Sequence, residues 1–227
     1  MLLQCQNVVK TYQQGTQEVR ALRGVSLNLA EGEFAAVVGP SGSGKSTLLN
    51  LLGCLDIPTS GDILFETRAI TRLSDNQRSI LRNEKIGFIF QNFQLIPVLS
   101  AFENVEFALQ IQGRFSAAER REQTQSIIKE VGLEDARRRR PSELSGGQQQ
   151  RVAIARALVK KPRLVLADEP TANLDSKTAE DIVALMLRLN TEHQTTFLFS
   201  THDNRVMRYA RRILTLKDGQ IEEDHGV

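Results

Sequence analysis

Residues 39–47 read Gly39-Pro40-Ser41-Gly42-Ser43-Gly44-Lys45-Ser46-Thr47, the G-x-x-x-x-G-K-[ST] spacing of a phosphate-binding loop. The loop follows Phe34-Ala35-Ala36-Val37-Val38, a short continuous apolar run expected of a strand buried on both faces. It precedes Thr47-Leu48-Leu49-Asn50-Leu51-Leu52, which favours helix. Glycines let such a loop turn successive N–H groups inward at the positive end of a helix, so the segment predicts an anion nest. Gly39, Ser41, Gly42, Ser43, Gly44 and Thr47 form the expected cradle. Lys45 would reach the outer phosphates of a nucleoside triphosphate, and the Ser46 hydroxyl would sit on Mg²⁺. The bland alternative is a glycine-rich turn before a helix. The combination of strand, loop and helix argues against it.

A second buried-strand run, Arg163-Leu164-Val165-Leu166-Ala167-Asp168-Glu169, ends in two carboxylates. An acid at the end of such a strand holds Mg²⁺ in phosphate-loop proteins, and Asp168 fits that place. Glu169 would then face the open end of the sheet, where a carboxylate can act as general base toward an attacking water. Two acids capping a strand are common on surfaces. The phosphate loop in the same chain favours the chemical role.

The third segment is Leu144-Ser145-Gly146-Gly147-Gln148, opening a helical stretch over Gln149–Val159. Ser145 and Gln148 satisfy the capping-box spacing, which is a sufficient structural explanation for those two. Two consecutive glycines are poor material for a first helical turn and suit a backbone that must approach another group closely. The segment lies about a hundred residues after the phosphate loop and shortly before the Asp-Glu strand. That order resembles the nucleotide-binding subunits of ABC transporters over essentially the whole chain.

The resemblance implies further roles. Tyr12 matches the aromatic residue that stacks on adenine. Gln91, after Ile86-Gly87-Phe88-Ile89-Phe90, matches the glutamine that senses Mg²⁺ and links to the membrane partner. Asp175, in Thr171-Ala172-Asn173-Leu174-Asp175, matches the loop that crosses the dimer interface. His202, after Thr196-Phe197-Leu198-Phe199-Ser200, matches the histidine on the γ-phosphate. Catalysis would then rest on Lys45, Gln91, Glu169 and His202, and the metal on Ser46, Gln91 and Asp168. Ser145, Gly147 and Gln148 would meet the ATP of a second copy. ATP and Mg²⁺ are the implied cofactors.

The implied fold is α/β: a phosphate-loop NTPase core with a mostly parallel sheet, an N-terminal antiparallel β subdomain and an inserted helical subdomain. Residues 1–227 would form a single domain, with about 1–90 and 161–227 as core and about 92–160 as the helical part. Periodicity and punctuation agree, with strands at Leu3–Tyr12, Val19–Leu29, Glu33–Val38 and Asp62–Glu66. Ser100 and Ser116 are placed to cap helices. Residues 67–85 receive no assignment. Strands and helices alternate after Arg163, and no appended regulatory domain is expected after Gly219.

A net charge of +2 gives no argument for a nucleic-acid partner. The basic run Arg137-Arg138-Arg139-Arg140 precedes Pro141 and reads as a solvated loop, with anionic headgroups as a second possibility. The two cysteines match no metal spacing, so both are expected as reduced thiols, with Cys54 packed in the first helix. No basic and hydrophobic leader precedes Cys5, which argues against lipidation. No apolar run approaches the ~20 residues that span a bilayer.

Longer strings, GPSGSGKSTLLNLLGCLDIPTSG, FIFQNFQLIPVLSAFENV and PSELSGGQQQRVAIARALVKKPRLVLADEPTANLD, resemble the ATPases of lipoprotein-releasing and macrolide-exporting systems. Ala172 and Cys54 stand where that group commonly has glycine. The resemblance implies a homodimer closing around two ATP. Its integral membrane permease would dock near Gln91–Leu99, with the apolar Leu95, Ile96 and Val98 lining a groove. The chain would be peripheral, on the cytoplasmic face of the inner membrane. An ATP-dependent regulatory clamp of the cell-division type, signalling without transport, shares much of the pattern. A soluble ATPase acting on DNA or ribosomes usually has two cassettes or coiled-coil insertions, and this sequence shows neither.

Overall fold

The computed structural model describes residues 1–226, apart from the side chain of Gln14. A long antiparallel pair, β1 (Leu3–Gln14) and β2 (Gln17–Leu29), opens the fold. Strand β1 also pairs with β4 (Ser60–Phe65), which pairs with the short β5 (Arg68–Ala69), giving a four-stranded sheet ordered β2-β1-β4-β5. The second sheet has six strands. Its members are β3 (Phe34–Val38), β6 (Ile86–Phe90), β7 (Leu164–Asp168), β8 (Thr196–Thr201), β9 (Arg212–Lys217) and β10 (Gln220–Gly226), ordered β10-β9-β3-β8-β7-β6. Every pair except β9–β10 is parallel.

The continuous apolar runs now have their physical reason. Alternate residues of one strand serve two different cores. Phe34, Ala36, Val165, Ala167, Phe197 and Phe199 face one hydrophobic cluster, while Ala35, Val37, Leu164, Leu166 and Leu198 face the other. Phe34 packs against Phe197 and Phe199 with ring centroids 5.6 and 5.1 Å apart. The second cluster also takes Leu48, Leu51 and Leu52 of α1 (Lys45–Leu52) and the inner face of the four-stranded sheet. The first cluster receives α3 (Ala101–Gln112), α4 (Ala117–Glu130), α5 (Gly146–Leu158) and α6 (Ser176–His193).

Because β3, β6, β7 and β8 run the same way, their C-terminal ends open on one edge. The phosphate loop, Gln91, Glu169 and His202 each begin where one of these strands stops. This is the arrangement that builds the site.

Two local expectations need correction, and one open stretch is filled. Helix α1 ends at Leu52, so Cys54 lies beyond it, past the capping Gly53, buried and at φ 57°. Helix α2 (Asp75–Lys85) occupies the unassigned stretch and starts with a full capping box, Ser74 with Gln77. Helix α5 starts at Gly146, so both glycines lie inside its first turn. The Ser145–Gln148 capping box offsets their poor propensity, and a Cβ on Gly147 would come within 2.5 Å of Thr178 Cγ2.

Candidate functional site

A cavity of about 720 Å³ opens at the strand edge. Its lining brings together Ser41, Gly42, Gly44, Lys45, Ser46 and Thr47 with Gln91, Asp168, Glu169 and His202. Gly39 and Ser43 stand behind the lining. A Cβ on Gly39 would lie 2.0 Å from the Leu216 carbonyl oxygen, so this turn tolerates only glycine. Lys45 is almost fully buried, and its Nζ donates to the carbonyls of Gly39 at 2.8 Å and Pro40 at 3.0 Å. The amine is thus held across its own loop, beside the N-terminus of α1.

The carboxylates are held from behind by a residue the sequence did not flag. Ser200, fully buried on β8, donates its hydroxyl to Asp168 Oδ1 at 2.7 Å and accepts from the Glu169 N–H at 2.8 Å. Glu169 has φ 44°, a left-handed conformation that a non-glycine residue holds only when its surroundings enforce it. Its Oε2 lies 3.0 Å from His202 Nδ1, and His202 is largely exposed.

Two further contacts had no local sequence signal. Gln150, fully buried on α5, donates to the Pro170 carbonyl at 2.6 Å and ties α5 to the turn after Glu169. Asn173 donates to the Gln91 carbonyl and to Asn92 Oδ1, both at 3.0 Å. Strand β2 adds Val19, Arg20 and Ala21 to the cavity wall.

Other predicted residues lie outside this cavity. Ser145, Gly147 and Gln148 sit at the start of α5, where Ser145 Oγ accepts from the Gln148 N–H at 3.3 Å. Asp175 caps α6 by accepting from the Thr178 N–H at 3.0 Å, and those bonds hold its carboxyl below its ordinary range. The two helix starts adjoin, since Gly147 packs on Thr178 and Gly146 on Leu174. Tyr12 does not line the cavity. Its hydroxyl donates to Asp56 Oδ2 at 2.8 Å, and its ring carries the Lys10 ammonium 4.8 Å from the centroid.

A second cavity, about 360 Å³, lies on the far side of Gln91. Phe88 and Phe90, stacked at 5.7 Å, form its floor, with Ile96, Phe107, Ala108 and Ile111 as walls. The sequence expected Leu95, Ile96 and Val98 here. Only Ile96 lines the groove, whereas Leu95 packs on the core and Val98 is 72% exposed. Residues 93 and 94 both have positive φ, so the chain turns sharply just before this segment.

Among the described residues, no helix is long and apolar enough to cross a membrane. The ABC transporter family profile matches residues 22–172. An uncharacterized ABC transporter ATP-binding protein, MJ0796 of Methanocaldococcus jannaschii, is 48% identical over 98% of this chain and 96% of its own length. The macrolide export ATP-binding/permease protein MacB of Syntrophobacter fumaroxidans is 49% identical over 99% of this chain, which spans only 32% of that protein. The dimeric post-hydrolysis structure of MJ0796 bound to ADP and Pi superposes with a TM-score of 0.91 at 47% identity, covering 99% of this chain and 98% of that one. The cbiO1 subunit of Clostridium perfringens, part of the complex cbiONQ, superposes at 0.89 with 30% identity, covering 99% of this chain and 88% of that one. The chain therefore belongs to the ABC transporter family and is one of its ATP-binding, ATP-hydrolysing cassettes.

Proposed function

We propose that two copies of this chain close around two ATP and drive a separate membrane permease of the lipoprotein-releasing or macrolide-exporting type. One observation carries the dimer: the cavity gathers the phosphate loop, Gln91, Asp168, Glu169 and His202 but excludes Ser145, Gly147, Gln148 and Asp175. A second copy facing the first would supply the missing helix N-terminus to the γ-phosphate. The dimeric form of the similar cassette MJ0796 supports this.

In the proposed reaction the loop N–H groups and Lys45 hold the phosphates, and Tyr12, held through its hydroxyl by Asp56, carries the adenine ring. Glu169 takes the proton of the attacking water, and His202 holds Glu169 and the γ-phosphate end in place. The oxygen donors of Ser46, Gln91 and Asp168 share one cavity, and an all-oxygen set suits Mg²⁺. Bound there, the ion would neutralise charge on the phosphates. The segment 92–160 is taken as a helical lobe moving against the 1–90 and 161–227 core. Its groove would receive a helix of the permease, placing the chain peripherally on the cytoplasmic face of the inner membrane.

Two variants test the shared site. Lys45→Ala should weaken nucleotide binding, whereas Ser145→Arg should leave ATP on the monomer and block closure. Mixed together, they form one composite site with two wild-type faces, and hydrolysis should partly recover. If Ser145→Arg alone abolishes ATP binding to the monomer, the two-copy site is wrong.

A further inference from the structure

The groove beyond Gln91 has apolar walls but also a basic lining. Lys160 and Arg156 line it, and no carboxylate does. The groups facing Lys160 come from every neighbouring element. Helix α2 brings Arg82 and Asn83, β6 brings Phe88 and Phe90, α3 brings Phe107, Ala108 and Ile111, and α5 brings Arg156. None is an acid. Arg156 is already committed, donating to the Phe93 carbonyl at 2.8 Å and the Gln94 carbonyl at 2.5 Å. Lys160 makes one hydrogen bond, to the Arg82 carbonyl at 3.2 Å, from a group with three donors.

We propose that Lys160 receives a carboxylate from the permease helix that docks in this groove, so that the partner carries an acidic residue on the face it buries. The inference rests on the docking reading above and adds the chemistry that selects the partner. An apolar helix face would satisfy Phe88, Phe90, Phe107 and Ile111 but would leave the ammonium desolvated without a counter-charge, which is costly. An amide would hydrogen-bond without neutralising it. A carboxylate does both, and charge-assisted bonds are roughly twice as strong as neutral ones. Burial and the nearby Arg82 already push the Lys160 amine down to about 8, and a carboxylate would reverse that shift.

The probe is 4-phenylbutyrate, compared with its amide, titrated into the full chain and followed by NMR shifts of the groove residues. At pH 7 the carboxylate should bind roughly 10-fold tighter than the amide. The difference should vanish in Lys160→Gln, and in wild type it should decline as pH rises through about 8 and Lys160 loses its proton. Equal affinities, no binding by either probe, or a preference that persists in Lys160→Gln would overturn the proposal. Co-purification with its membrane permease separates the two levels. Retention by Ile111→Glu would remove the docking reading itself. Loss by Ile111→Glu together with undiminished retention by Lys160→Glu would overturn the carboxylate alone.

Discussion

Ser200 holds Asp168 through a 2.7 Å hydrogen bond, and the same oxygen accepts the Glu169 N–H at 2.8 Å. One buried hydroxyl therefore sets the positions of two adjacent carboxylates with different proposed duties. Ser200→Ala leaves both the Glu169 N–H and Asp168 Oδ1 without this buried partner, costing about 1–3 kcal/mol of stability. It also loosens the left-handed turn at Glu169, so ATP turnover should fall ~10- to 100-fold. Turnover at the wild-type level in a folded Ser200→Ala protein would show that Ser200 does not position the pair.

Glu169→Gln keeps shape and hydrogen bonding while removing the proposed base. ATP binding should survive, turnover should drop by ~10²-fold or more, and the variant should elute as an ATP-bound dimer in size-exclusion chromatography. Wild-type steady-state hydrolysis would take the base role away from Glu169.

The groove and the core behind it can be separated by two charged substitutions. Ile111 is 59% exposed on the groove wall, so Ile111→Glu should leave the thermal midpoint and basal hydrolysis unchanged while abolishing permease-stimulated hydrolysis. Leu95 packs against the core, so Leu95→Glu should destabilise the fold through an unpaired buried charge. Equal stability losses in both variants would mean that Ile111 is also structural.

Lys160 predicts a pH-dependent stability. Its amine is pushed from an ordinary 10.5 down to about 8 by burial and then by Arg82. Below pH 8 the folded state carries the full cost of the charged amine. Between pH 8 and 10.5 the unfolded chain binds more protons than the folded one, and that cost declines as pH rises. Lys160→Met should therefore raise Tm by about 2–4 °C at pH 7, with the gain shrinking toward pH 10.5. A gain independent of pH would assign the effect to packing.

The features legible in the chain are local or periodic. The phosphate loop is legible because its glycines, lysine and hydroxyls act within nine consecutive residues. The strand Leu164–Asp168 shows as a continuous apolar run because both faces are buried, and Ser100 and Ser116 cap their helices through partners three residues on. Contacts between residues far apart in the chain depend on how the elements pack. Ser200 meets Asp168 because β7 and β8 are parallel neighbours, and Gln150 reaches Pro170 because α5 packs over that sheet end. The groove followed the same rule. Leu95, Ile96 and Val98 are all apolar in sequence, yet one packs on the core, one lines the groove and one faces solvent. Hydrophobicity says that a side chain seeks burial, but only the backbone path says against what.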